Sequence, residues 1–130
     1  MSQVNFKREL ASTLEEAISK ITEALASEGF GILTRIDFHT KIKDKLNKDL
    51  PPIVILGACH PGLAYEVYQR EPNFTSVLPC NVVVRDLGKG KVSIEIAKPT
   101  AMMKVLENKE LIALAEPADQ TLRNLLDKLS

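Results

Sequence analysis

Val4, Phe6 and Arg8 alternate with Asn5, Lys7 and Glu9 near the start of the chain, a period of two that predicts an edge or half-buried strand. The period then changes. Thr13-Leu14-Glu15-Glu16 has the form of a capping box, and Leu14, Ile18, Ile21 and Leu25 follow at helical spacing, with Gly29 placed to end the helix. From Gly31 to Phe38 the alternation returns and sets Ile32, Thr34, Ile36 and Phe38 on one side. A short helix over Thr40–Leu46 comes next, with Ile42 and Leu46 four positions apart.

Pro51-Pro52 interrupts the chain and releases Ile53-Val54-Ile55-Leu56-Gly57-Ala58, an apolar run that predicts a strand covered on both faces. Pro61 suits the first turn of a helix carrying Leu63, Ala64, Val67 and Tyr68, which ends by Pro72. Cys80–Asp86 and Lys91–Ile96 read as the two strands of a hairpin turning at Gly88-Lys89-Gly90. That glycine-lysine turn joins two strands and precedes no helix, so it is not a phosphate loop. Pro99 opens a short helix bearing Met102, Met103 and Leu106. The stretch from Glu110 to Leu129 is helical, with a kink or restart expected at Pro117 and a final face of Leu122, Leu125, Leu126 and Leu129.

The order β-α-β-α-β-α-β-β-α-α predicts an α+β two-layer sandwich: a mixed, mostly antiparallel sheet of about five strands with helices on one face. No repeat or linker divides the chain, so residues 1–130 form one domain.

Composition narrows the function classes. Lys plus Arg number 17 and Asp plus Glu 17, which leaves no field to attract nucleic acid or an anionic membrane. Lys41, Lys43, Lys45 and Lys48 form a local basic run, but Asp44 and Asp49 interrupt it and a solvated helix face explains it. No apolar run reaches the roughly 18 residues of a bilayer span, and Met1–Glu9 lacks a leader's apolar stretch. Two cysteines in such a chain predict free thiols, a metal site or a redox pair in the cytoplasm.

The chemistry-bearing segment is Leu56-Gly57-Ala58-Cys59-His60-Pro61, a thiol and an imidazole between a strand and a helix N-terminus. Unpaired amides and the helix dipole there would lower the pKa of Cys59, making it a candidate nucleophile. His60 is a candidate base or metal ligand, although neighbours on an extended chain point opposite ways. Cys80 opens the next long strand. If the two strands are antiparallel neighbours, the end of one meets the start of the other and Cys59 approaches Cys80. Two thiols and His60, with a thioether from Met102 or Met103, would make a partial soft-metal site, though the spacing fits no zinc pattern. The plainer alternative is two packed cysteines and a helix-capping histidine. Glu66 and Glu71, beside Tyr68, are unpaired surface carboxylates by sequence, and His39 and His60 are too few for a Ser-His-Asp system.

Several of these segments together resemble the domain of unknown function 302 family. They are Glu28–Asp37, Ile53–Pro61, Leu63-Ala64-Tyr65, Leu78–Arg85 and the helix start at Pro99, covering about Phe6 to Leu126. The resemblance implies a compact α+β homodimer of bacterial or archaeal type with no established activity. Cys59, Pro61, Cys80 and Asn81 are the positions that carry over, and Asn81 would add an amide for orienting a small ligand. Members of that family commonly have Asn where this chain has His60, so a histidine base or ligand is not a family-wide role.

Three readings follow. One is a homodimeric domain binding a small ligand or soft metal near Cys59, His60, Cys80 and Asn81, dimerisation covering apolar helix faces that one small core leaves over. The second is a thiol enzyme with Cys59 as nucleophile and Cys80 as resolving thiol. The third is a structural interaction module.

Overall fold

The computed structural model describes residues 4–130, and the ten elements appear in the predicted order with a 3-10 segment added at Pro72–Val77. Met1–Gln3, which begin the segment read as lacking a leader, lie outside the described residues. Strands β1 (Asn5–Ala11), β2 (Gly31–Asp37), β3 (Ile53–Cys59), β4 (Cys80–Gly88) and β5 (Lys91–Ala97) form one sheet in the order β1-β5-β4-β3-β2.

All four pairings are antiparallel, where a mixed sheet was expected. A parallel pair needs a crossover helix lying along the sheet to return the chain to its starting end. Helix α2 (Phe38–Leu46), between β2 and β3, buries no residue, so it reverses the chain without crossing over. Helix α3 (Pro61–Arg70) packs instead on the 3-10 segment that follows it.

Helices α1 (Leu14–Ser27) and α5 (Lys109–Asp127) cover one sheet face. Thr13 caps α1, its Oγ1 accepting the Glu16 N–H at 3.2 Å. Gly29, at φ 85°, lets the chain leave α1 through a Schellman turn in which Phe30 and Gly29 donate to the carbonyls of Leu25 and Ala26. Val54, Leu56, Ala58, Val82, Val84, Ile94 and Ile96 meet Ile18, Ile21, Leu25, Leu122 and Leu126 in the main core. A second cluster of Val67, Phe74, Met103, Leu111 and Ala115 joins α3, the 3-10 segment, α4 (Pro99–Val105) and α5. Asp119 of α5 fastens α4, accepting from the Thr100 N–H at 3.0 Å and the Thr100 hydroxyl at 2.6 Å. Pro117 lies inside α5, which runs unbroken past it.

Two sequence expectations change. Ile32 faces the helical layer opposite Ala58, but a bulge at Leu33 shifts the register, so Thr34 and Ile36 face the other way beside Gly57 and Ile55. Phe38 starts α2 and does not extend the strand. Also, β3 has its helical layer on one side: on the opposite side Ile53 and Gly57 are buried and Ile55 half-buried, but none of them belongs to either core cluster.

Candidate functional site at the ends of β3 and β4

Ala58 pairs with Cys80 across β3 and β4, so the end of one strand meets the start of the other. Both thiols are free, and both line one small cavity of about 30 Å³ with Ala58, Phe74, Met103 and His60. The volume is water-sized, and almost every lining atom is apolar.

Burial therefore governs the thiols. It pushes Cys59 up from the ordinary cysteine value. Cys80 is pushed up to about 11, by burial first and then by the negative charges that Cys59 and Asp119 would carry. The expected low-pKa nucleophile at a helix N-terminus is not what the geometry produces. The reason is burial, and the α3 N-terminus is capped separately by His60, whose Nδ1 accepts the Leu63 N–H at 3.1 Å.

That hydrogen bond makes Nδ1 an acceptor and puts the proton of the neutral ring on Nε2. The ring stands edge-on to Phe30 at 5.1 Å, and a Cβ on Gly29 would sit 3.0 Å from Nε2. His60 is thus a helix cap packed over the α1 exit. Asparagine, a preferred capping residue, would serve the same capping role at this position.

The remaining motif residues lie elsewhere. Asn81 pairs with Gly57 in register and is exposed on the sheet face away from the main core. Met102 lines a groove with Asn81, whereas Met103 lines the thiol cavity, so the candidate soft-metal set of Cys59, Cys80 and Met102 is not gathered around one cavity. Among the described residues, no group of three or more His, Cys, Asp or Glu is placed to hold a metal ion. His39 is occupied structurally, its Nδ1 lying 3.0 Å from the Ile53 N and 3.1 Å from the Ile53 O. Glu66 pairs with Arg70 at 2.9 Å, and Arg70 reaches Glu110 of α5 at 2.8 Å, a surface clamp and not an acid/base pair.

The Asn81 groove measures about 460 Å³ and has Asn5, Val83, Glu95, Ala97 and Met102 among its lining residues. Glu95 is held in place by Asn5 at 3.1 Å and Arg85 at 3.1 Å, so its charge is already compensated. Gly57 lies beside it, where an added Cβ would fall 2.6 Å from the Pro79 ring and within clashing distance of the Thr34 hydroxyl. A glycine inside an apolar strand signals such a close approach. Gly57→Ala should cost roughly 1–3 kcal/mol from overpacking, read as a lower urea midpoint with unchanged slope. A fully wild-type midpoint would show that Thr34 and Pro79 simply move aside.

Sequence reasoning missed Phe74, Asp119, Asn5 and Glu95 as parts of these two sites. Gly57 carried a signal, and the others did not, because each arrives through long-range pairing. No helix among the described residues is long and apolar enough to cross a membrane.

A family model described as Domain of unknown function DUF302 matches residues 6–129. No match was found among curated proteins. Among solved structures, the chain is similar to an uncharacterized conserved protein DUF302 from Bacillus stearothermophilus, at 26% identity and a TM-score of 0.90. That likeness covers 99% of this chain and 100% of the other. With its fold and nearly its whole length accounted for in this way, the chain belongs to the DUF302 family.

Proposed function

We propose that the protein is a homodimeric binding domain whose small ligand lies in the groove over Asn81, and that the thiols pack beneath that site without reacting. The groove carries this reading. At about 460 Å³ it is of the size small molecules occupy, whereas the thiol cavity, at about 30 Å³, is far smaller. Its lining suits an uncharged amphipathic ligand: the Asn5 and Asn81 amides supply directional hydrogen bonds, Glu95 is neutralised by Arg85, and Val83, Ala97 and Met102 accept an apolar body. Two free cysteines support a reducing compartment, hence the cytoplasm.

The test is an amide-resolved NMR titration with N-acetyl-leucine amide and similar small uncharged amides. The expected result is saturable shifts confined to Asn81, Val83, Ala97 and their neighbours, abolished in Asn81→Leu. Shifts spread over the surface, or unchanged in Asn81→Leu, would sink the groove as the site.

A thiol-redox reading keeps one supporting observation, that Cys59 and Cys80 line the same cavity. Iodoacetamide kinetics separate it from the binding reading. With both thiols pushed up, little thiolate is present near neutral pH, so both cysteines should alkylate more slowly at pH 7 than an unstructured cysteine peptide. Fast alkylation of Cys59 at pH 7 would instead favour the enzyme.

A further inference from the structure

On β3, Val54, Leu56 and Ala58 point to the helical layer, so Ile53, Ile55 and Gly57 point away from it. Their register partners extend this second face across the sheet, through Val83 and Arg85 on β4 and Ile36 on β2. Neither core cluster includes Ile36, Ile53, Ile55 or Val83. The face therefore has no helical layer of its own.

The same chain carries a helix with no sheet to cover. Helix α2 buries none of its residues, whereas α1 buries Ala17, Ile18, Ile21 and Leu25. Phe38 is 36% exposed, Leu46 62%, and Leu50, in the connection to β3, 39%. Helix α2 touches β3, and His39 binds the Ile53 backbone. Ile53 faces away from the main core and is nonetheless buried, which places α2 beside the uncovered face.

We infer that a second copy of this chain covers the uncovered sheet face, each protomer's α2 supplying apolar side chains to the partner's sheet. The inference deepens the homodimer reading above and rests on it. A two-fold interface uses one patch twice, and this patch holds both an uncovered sheet and an unburied amphipathic helix, so each copy offers what the other lacks. The area is sufficient. Five strands about 4.8 Å apart, each of about seven residues at about 3.3 Å, span about 550 Å². Nine residues of α2, about 10 Å wide, add about 135 Å². The total is of the order of the roughly 800 Å² per partner that stable complexes bury. Net charge does not oppose the contact, since the chain's formal net charge is zero and the patch carries both signs: Arg85 pairs with Glu95 and Lys43 with Asp49, and Lys7 and Glu9 lie on the same face of β1. The groove over Asn81 opens on this same face, so the partner would roof it.

Sedimentation equilibrium of the full chain tests this, with Ile36→Glu and Leu46→Glu as interface variants and Tyr65→Glu on α3, at 64% exposure, as the control. The expected result is a wild-type and Tyr65→Glu dimer of twice 14.4 kDa. Both interface variants should keep a wild-type circular dichroism spectrum and raise the dimer Kd by roughly a hundredfold, the effect of losing a well-packed anchor. A wild type that is monomeric at 200 µM, about the top of a routine concentration series for Kd values in the micromolar range, overturns the homodimer reading and this inference with it. A wild-type dimer that neither glutamate dissociates, or that Tyr65→Glu dissociates equally, overturns the surface and leaves the homodimer standing.

Discussion

Phe74→Ala should cost roughly 3–5 kcal/mol of folding stability, the largest loss expected from a single side chain near the site. Phe74 is 4% exposed and packs with Val67, Met103, Leu111 and Ala115, joining the 3-10 segment to α3, α4 and α5. It also forms one wall of the thiol cavity. Its removal leaves a void that the cluster fills only in part, because four separate segments would have to move together. Urea unfolding measures the loss directly, and Phe74→Leu should recover most of it by restoring volume. The same variant enlarges the space around the thiols, so Cys80 should alkylate faster in Phe74→Ala under native conditions. If stability falls while Cys80 stays at its wild-type rate, Phe74 is a core residue that does not shield the thiol.

The second large effect is an alkaline one. Cys80 titrates at an ordinary 9.0 when unfolded and at about 11 when folded, chiefly because burial disfavours its thiolate. A folded pKa above the unfolded one means the native state holds the proton more tightly. The associated stability is complete below about pH 9 and is lost as the pH rises through 11. Two pH units correspond to about 2–3 kcal/mol. Tyrosine and lysine also titrate in this range, so the diagnostic quantity is the difference between wild type and Cys80→Ala. That difference should narrow by about 2–3 kcal/mol between pH 9 and 11. A constant difference would show that the thiol is hydrated and its cavity open.

The fold was legible where the signal was local. The capping box at Thr13, the exit at Gly29, the proline breaks and the Gly88-Lys89-Gly90 turn mark boundaries by backbone chemistry that operates within a few residues. The approach of Cys59 to Cys80 was legible too, since it needs only that β3 and β4 be antiparallel neighbours. Beyond that range the reading failed in identifiable ways. The bulge at Leu33 inverts the outer half of β2, and nothing in a run of alternating residues marks which one is extra. The strand β3 read as covered on both sides, and Ile53 and Gly57 are indeed buried on the second side, but no helix of the main core provides that cover. Dipole arguments favoured a thiolate at Cys59, but His60 takes the amide at the α3 entrance and burial decides the outcome. The groove eluded sequence reasoning because Asn5, Asn81 and Glu95 come from three strands and meet only once the register is fixed.

The pairing of β1 with β5 has a kinetic side. Ala11 lies opposite Lys91, so docking the first strand closes a loop of about eighty residues, whereas β4 and β5 meet across a tight turn. During synthesis β1 is made about eighty residues before its partner, and it waits over that interval with its backbone groups unpaired. Lys7, Arg8 and Glu9 fit that interval, since charges along an unpaired strand discourage it from pairing with another chain. Once β5 arrives, Arg8 closes the assembly, donating to the Leu126 and Asp127 carbonyls at the end of α5. An early strand is thus locked by a late helix, and an incomplete chain leaves unpaired a strand that the folded domain holds.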